Sequence, residues 1–370
     1  MTQLFVLIFC WAIGSLLIIA LRKREATVWV ASPETHQGLV RWSTAAKPRI
    51  GGFIFFSVFL LTIGISYYFF PQFFPQDKSL WFLLAATTLA FVLGWWDDVK
   101  NVPPIVKSIG QFFCAQLLYS GGFELVLSPW NELNYIFTIL WVVGIMNSLN
   151  MLDNMDGIAA SVALFIVLIM LYANYMQGNN SLILFLCLPV IGSLLAFLQY
   201  NWHPSKIYMG DAGSQFLGVF LAAIALKTLI PQQSSEALAT QGAIFHWGAL
   251  ILPFVVFSLM IIDTATVTVR RIRRGQSPFV GGKDHTTHNL AFLGLKDAQV
   301  AWSFVFFSVI NFVWVVLYYH FSLQNVLWFK LLMVAYVLLL AISIQWVYYY
   351  NQKEKNAYKK RDKTSIILTH

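Results

Sequence analysis

Eleven stretches of this chain are long and apolar enough to cross a bilayer as helices, and that leaves few folds open to it. Hydrocarbon about 30 Å thick takes roughly 20 helical residues. Such runs fall at 3–21, 51–70, 79–96, 108–127, 134–149, 157–176, 181–199, 213–230, 243–269, 299–319 and 325–350. In lipid every backbone donor and acceptor must be satisfied within the chain, so only helices or a closed barrel can span, and runs of this length select helices. The expected fold is an all-α polytopic membrane protein with about 11 transmembrane helices. Residues 1–350 form a single integral membrane domain and 351–370 a basic cytoplasmic tail. Composition agrees, with 58% hydrophobic and 11% charged residues, against about 25% charged in soluble domains. The fourth run is the weakest, because Gly121, Gly122 and Glu124 interrupt it. Dropping it would scatter the basic loops to both sides, and it is kept for that reason.

A net charge of +8 reports orientation in such a chain before it reports nucleic acid. With the N-terminus outside, all 24 lysines and arginines except Lys78, Lys227 and Lys330 fall in segments on the inner side. The expected topology is therefore N-out, C-in. The first run has no basic residue ahead of it and no small-residue cleavage site, so it reads as the first span rather than a cleaved signal. Cys10, Cys114 and Cys187 lie in apolar runs, which points to packing and away from disulfides or zinc.

On this map Asp97, Asp98, Asp153, Asp156, Asp211, Asp263 and Asp284 all fall at or near the inner face. The stretch NSLNMLDNMDGIAAS, 147–161, sets polar residues between two apolar runs. Capping alone needs one polar side chain; ionisable groups at membrane depth usually serve a site. Asn147, Asn150, Asp153 and Asp156, three apart, would follow one drifting helical face into a common cavity. Asp97 and Asp98 repel unless a cation lies beside them. Magnesium, which takes hard oxygen ligands and substrate phosphates, is the usual solution.

In MGDAGSQFLG, Gly210, Gly213 and Ser214 surround Asp211 where a helix begins. Small residues there allow close approach, and free amides at a helix start attract anions; plain helix packing is the competing explanation. The segment RRIRRGQSPFVGGKDHTTH concentrates Arg270, Arg271, Arg273 and Arg274. They suit a membrane-surface patch or a bidentate phosphate clamp. Asp284, His285 and His288 follow on about one turn, without the third ligand a zinc site would need.

In order, KPRIGG, GWWDDVKNVPPIVKSIGQ, NSLNMLDNMDGIAA, NWHPSKIYMGDAGSQFLG and RRGQSPFVGGKDHTTH resemble the motifs of the polyprenyl-phosphate N-acetylhexosamine-1-phosphate transferases, glycosyltransferase family 4. The resemblance runs from about Lys47 to Gly294. It implies catalytic roles for Asp97, Asp98, Lys107, Asp153 and Asp156, and magnesium, with manganese as a substitute, on Asp211 and Asp98. It further implies substrate contacts at Asn150, Asn201, Tyr208, Asp284, His285 and His288, and Arg271 and Arg274, as the phosphate clamp, join them as substrate-binding candidates. The last motif departs from the common His-x-His-His cluster, reading DHTTH. The triple-histidine signature of the muropeptide translocase branch is absent, which favours the undecaprenyl-phosphate GlcNAc-1-phosphate transferases. Lys47 stands where threonine is common in that family.

The implied reaction joins a UDP-sugar, with GlcNAc the modal sugar, to polyprenyl phosphate in the inner leaflet of the plasma membrane, as the first membrane step toward an envelope polymer. Direct attack by the lipid phosphate is favoured over a phospho-enzyme, because a phosphate monoester is largely ionised near neutral pH. A homodimer is the family-level expectation, and nucleic acid is not expected as a partner. The rival reading, a cation-coupled transporter, would call for repeats and broken helices at mid-membrane; the carboxylates here lie at helix ends.

Overall fold

The computed structural model describes residues 2–23, 47–74, 78–178, 180–232, 234–240, 244–277, 282, 284–323 and 326–367, with side chains to residue 354. Arg24 and Arg41 among the counted basic residues, and positions 278–281 and 283 of the last motif, lie outside them. The described residues form helices and no strand. They are α1 (Thr2–Lys23), α2 (Gly51–Phe69), α3 (Ser79–Lys100), α4 (Pro104–Ser120), α5 (Asn131–Leu152), α6 (Ile158–Met176), α7 (Ser181–Asn201), α8 (Gly210–Thr228), α9 (Ser235–Thr240), α10 (Ile251–Val256), α11 (Ser258–Arg273), α12 (Thr286–Phe292), α13 (Asp297–His320) and α14 (Leu327–Ile367).

Among these, 8 helices are long and apolar enough to cross a membrane, or 9 if α11 and the helical segment before it count as one broken span. The fourth and ninth predicted runs differ most from expectation. The fourth begins earlier, at Pro104, because proline suits the first helical turn. It stops at Ser120, where Gly121 and Gly122 follow, Gly122 at φ +78. Residues 121–130 are not helical; they are tied down instead by Asn134, whose Oδ1 accepts from Leu127 and Ser128 N. The ninth run turns by 94° at Phe257, between α10 and α11. Helix α14 runs on past residue 350 to Ile367.

Helix α8 sits at the centre, packed on α3, α5 and α2, with nearly every side chain buried. Its Gly213, Ser214 and Gln215 are thereby kept from lipid by the surrounding helices. A Cβ on Gly94 of α3 would stand 2.3 Å from the Asp211 carbonyl oxygen. That close approach of α3 to α8 fixes the height at which Asp211 faces the end of α3. On the opposite side Phe59, Phe216 and Phe220 pack edge-to-face between α2 and α8. The outer helices α1, α13 and α14 turn Leu16, Phe306, Leu331 and Ile342 outward, all exposed, as surfaces toward hydrocarbon do. Cys10, Cys114 and Cys187 are buried, so all three are core packing.

Candidate active site

Four helix termini make the centre of the site: the end of α3, the start of α4, the end of α5 and the start of α8. Helix α3 closes on Asn101, in the left-handed region at φ 51, whose N–H returns to the Asp97 carbonyl. Two adjacent residues point about 100° apart on a helix, and the two aspartates diverge accordingly. Asp97 accepts from Val102 N at 2.8 Å and Lys107 Nζ at 2.7 Å. Asp98 accepts from Arg49 Nη1 at 3.1 Å and Ala212 N at 2.9 Å. Each aspartate thus has a cation beside it, Lys107 for Asp97 and Arg49 for Asp98. The Ala212 amide in the first turn of α8, a group that attracts anions, is capped by the Asp98 carboxylate.

Lys107 also donates to Asp211 Oδ1 at 2.7 Å, and Asn150 donates to the same oxygen at 2.5 Å and to Ser214 Oγ at 2.8 Å. One ammonium thus ties α3, α4 and α8 together. Gly210, at φ +75, is required here, because a Cβ would stand 2.7 Å from Asp98 Oδ2.

Helix α5 ends at Leu152, so Asp153 and Asp156 do not continue the face of Asn147 and Asn150. Asp153 turns toward the cluster; burial and the charges of Asp211, Asp98 and Asp156 push its carboxyl up to about 7. Among the described residues no hydrogen bond or ion pair reaches that carboxylate. Asp156 turns away, accepting from Ser205 Oγ at 2.7 Å, Ser205 N at 3.0 Å and His203 Nδ1 at 3.2 Å. Asn201 staples the same region, accepting from Gly157 N and donating to the Ile207 carbonyl. Tyr208 bridges to Arg49 across the short pairing of 48–52 with 207–209, and Lys47 lies over its ring at 5.0 Å while reaching Ser205.

Arg271, Arg274, Asp284, His285 and His288 gather in a neighbouring cluster. Arg271 grips Asp284 with both arms, at 2.7 and 3.1 Å. Burial opposes ionisation of Asp284, but the Arg271 hydrogen bonds and charge outweigh it and hold the carboxyl below its usual range. Arg274 bonds the Tyr348 hydroxyl, and Arg270 stacks on that ring and donates to Gln345. Here the arginines anchor the loop to α14. His285 Nδ1 meets the fully buried Asp263 at 2.9 Å, and His288 packs edge-on against His285. Thr287, donating to Asn154 at 2.6 Å, joins this cluster to the first. Sequence reasoning passed over Asp263, Arg49 and Lys47 as partners. Only the position of Arg49 and Lys47 inside the KPRIGG motif marked them. A separate cavity, bordered by Asn174, Gln177 and Lys227, lies at the opposite end of the bundle.

Among the described residues no three His, Cys, Asp or Glu side chains form a ready-made metal cage. Magnesium does not require one, since it keeps waters and is held by one or two carboxylates plus phosphate oxygens. The carboxylates of Asp98, Asp153 and Asp211 are that kind of donor. Asp97, Asp98, Asp153 and Asp211 outnumber the cations Lys107 and Arg49 that meet them, so the residues fit a divalent ion.

The profile of glycosyl transferase family 4 matches residues 80–229, the span from α3 to α8 that carries this cluster. A probable undecaprenyl-phosphate N-acetylglucosaminyl 1-phosphate transferase of Bacillus subtilis is 32% identical over 259 residues, 67% of each chain. This chain belongs to glycosyl transferase family 4. Other family relatives include a phospho-N-acetylmuramoyl-pentapeptide-transferase of Limosilactobacillus fermentum, 33% identical over 49% of this chain and 60% of its own. A decaprenyl-phosphate N-acetylglucosaminephosphotransferase of Mycobacterium leprae is 29% identical over 59% of each. Within the matched family segment lie Asp97, Asp98, Lys107, Asn150, Asp153, Asp156, Asn201, Tyr208 and Asp211. Arg49 and the Arg271–His288 cluster come from outside it.

Proposed function

We propose that this protein transfers N-acetylglucosamine 1-phosphate from UDP-N-acetylglucosamine to undecaprenyl or another polyprenyl phosphate, releasing UMP. The convergence of Asp98, Asp153, Asp211, Lys107 and Arg49 at one end of the bundle carries the reading. The names of the Bacillus and Mycobacterium relatives support the lipid acceptor and the sugar. In the reaction an oxygen of the lipid phosphate attacks the β-phosphorus of the nucleotide sugar. The bond from that phosphorus to the bridging oxygen breaks, and UMP departs with the electron pair.

Asp211 and Asp98 would hold magnesium or manganese, with Asp153 beside them; when bound, the ion neutralises charge on the phosphoryl oxygens. Lys107 and Asn150 fix the Asp211 carboxylate, and Arg49 fixes Asp98. Arg49 and Lys47 are cations bordering the cluster where a diphosphate would lie. Phosphoryl transfer asks mainly for such alignment and charge balance.

The same reading has eleven crossings, N-terminus out and C-terminus in, in the plasma membrane. Helices α4 and α8 and the bent α10–α11 pair supply the crossings beyond the eight, and the basic loops supply the orientation. A homodimer and the identity of the polymer are further parts of the proposal. The test is purified protein with undecaprenyl phosphate and a panel of UDP-sugars, followed by UMP release and lipid product. Turnover should be fastest with UDP-N-acetylglucosamine, vanish in EDTA and return with magnesium. Turnover without metal, or with no UDP-sugar in the panel, sinks the reading.

A further inference from the structure

We infer that Gln111, Asn147 and Gln215 form a positioning layer for the active site, one helical turn deeper in the bundle; the inference rests on the transferase reading. The helices that meet at Lys107, Asn150 and Asp211 are α4, α5 and α8. Each carries an amide one turn further in: Gln111 four residues after Lys107, Asn147 three before Asn150, Gln215 four after Asp211. Residues three or four apart lie on one helix face, so the two layers are stacked. In the lower one Gln111 Nε2 donates to Asn147 Oδ1 at 3.2 Å and to Gln215 Oε1 at 3.0 Å. Asn147 Nδ2 donates back to Gln111 Oε1 at 2.9 Å. Gln111 and Gln215 are 0% exposed.

Packing alone does not explain three amides in this place. Leucine would fill the volume without desolvating polar atoms, and Gln215 Nε2 has no hydrogen-bond partner among the described residues, a cost that an apolar side chain avoids. What the amides supply is register. Apolar contacts tolerate sliding, whereas a hydrogen bond fails within a few tenths of an ångström. The layer therefore sets the relative height and rotation of α4, α5 and α8. The contacts of Lys107 and Asn150 on Asp211, one turn above, inherit that setting. A displacement of about 1 Å at the reacting groups costs on the order of a hundredfold in rate.

The test replaces Gln111→Leu, Asn147→Leu and Gln215→Leu singly. Each should lower kcat about tenfold or more, with KM for the UDP-sugar within about twofold. Gln111→Leu strands Asn147 Oδ1 and Gln215 Oε1 and lowers thermal stability as well, whereas Gln215→Leu removes the unpartnered Nε2 and leaves Gln111 its bond to Asn147, so its thermal unfolding stays nearly unchanged. The exchange Gln111→Asn with Asn147→Gln keeps one long and one short amide across the gap, and should restore most of kcat. A geometric readout is the rate of oxidative cross-linking between Asn150→Cys and Asp211→Cys, which Gln215→Leu should slow about tenfold through the lost register. Wild-type kcat in all three leucine variants overturns the layer. So does an exchange variant no better than the singles, or a loss of kcat in Gln215→Leu that comes with a matching fall in thermal stability. If the unsubstituted protein transfers no sugar phosphate, the transferase reading has failed, and cross-linking decides alone: an unchanged rate overturns the layer, a slowed one supports it.

Discussion

Replacing Gly210 by alanine tests how tightly the carboxylate cluster is built. Gly210 has φ +75, and a Cβ there would meet Asp98 Oδ2 at 2.7 Å and Arg49 Cβ at 3.2 Å. The left-handed backbone costs an L-residue about 1–2 kcal/mol. The carboxylate must also retreat by several tenths of an ångström, which stretches the 2.9 Å bond to Ala212 N and the 3.1 Å bond to Arg49. Bonds to charged groups contribute about 1.5–3 kcal/mol, so the expected destabilisation is about 2 kcal/mol or more, allowing for partial loss. Turnover should fall on the order of a hundredfold, because Asp98 moves relative to Asp211. The assay is UMP release together with thermal unfolding in detergent. Gly144→Ala, on α5 with nothing within 4 Å of its Cβ, is the control and should be neutral or stabilising, since alanine favours helix by about 0.5–1 kcal/mol. Wild-type turnover and stability in Gly210→Ala would refute the described packing of Asp98 against the start of α8.

In metal-free buffer the raised Asp153 carboxyl makes the folded state hold a proton that the unfolded state has released. The Asp153 contribution to stability should therefore fall as pH rises from about 4 to about 7 and level off above; a wild-type unfolding profile in Asp153→Asn would contradict it. Asn201→Ala leaves Gly157 N and the Ile207 carbonyl unmet, and should cost about 2 kcal/mol of stability with little change in KM for the UDP-sugar. A large KM change at unaltered stability would make Asn201 a substrate contact instead. For orientation, Ser234→Cys should react with impermeant thiol reagents in intact cells while Lys359→Cys is protected, and the reverse pattern would invert the topology.

The motifs were legible because membrane segments carry so little charge that each aspartate stands out. Pro103 and Pro104 stand at the start of α4, yet hydropathy placed its run only from 108, while the glycines around Asp211 did mark the start of α8. Gly121 and Gly122 gave the end of α4 correctly, but the demand for a longer span overrode them. Pairing was not legible, because it joins residues far apart in sequence: Asp98 to Arg49, Asp263 to His285, Asp156 to Ser205. The divergence of Asp97 and Asp98 follows from helix geometry, but which partner each meets depends on where α4 and α8 pack. Nor did any turn signature at Phe257 announce the 94° break, with Pro253 four residues upstream as the nearest irregular residue.

Asp211→Asn is the measurement nearest the central claim that the acidic end of this bundle is a phosphoryl-transfer site. The change keeps shape and removes charge from the residue that Lys107 and Asn150 hold at 2.7 and 2.5 Å. Losing a few kcal/mol of transition-state stabilisation should lower UMP release by about a hundredfold or more, with normal membrane insertion and a stability loss limited to about 1.5–3 kcal/mol, since Lys107 loses its charged partner on α8 but keeps Asp97. Wild-type release by the folded Asp211→Asn protein would contradict the claim and leave Asp211 as a helix terminus.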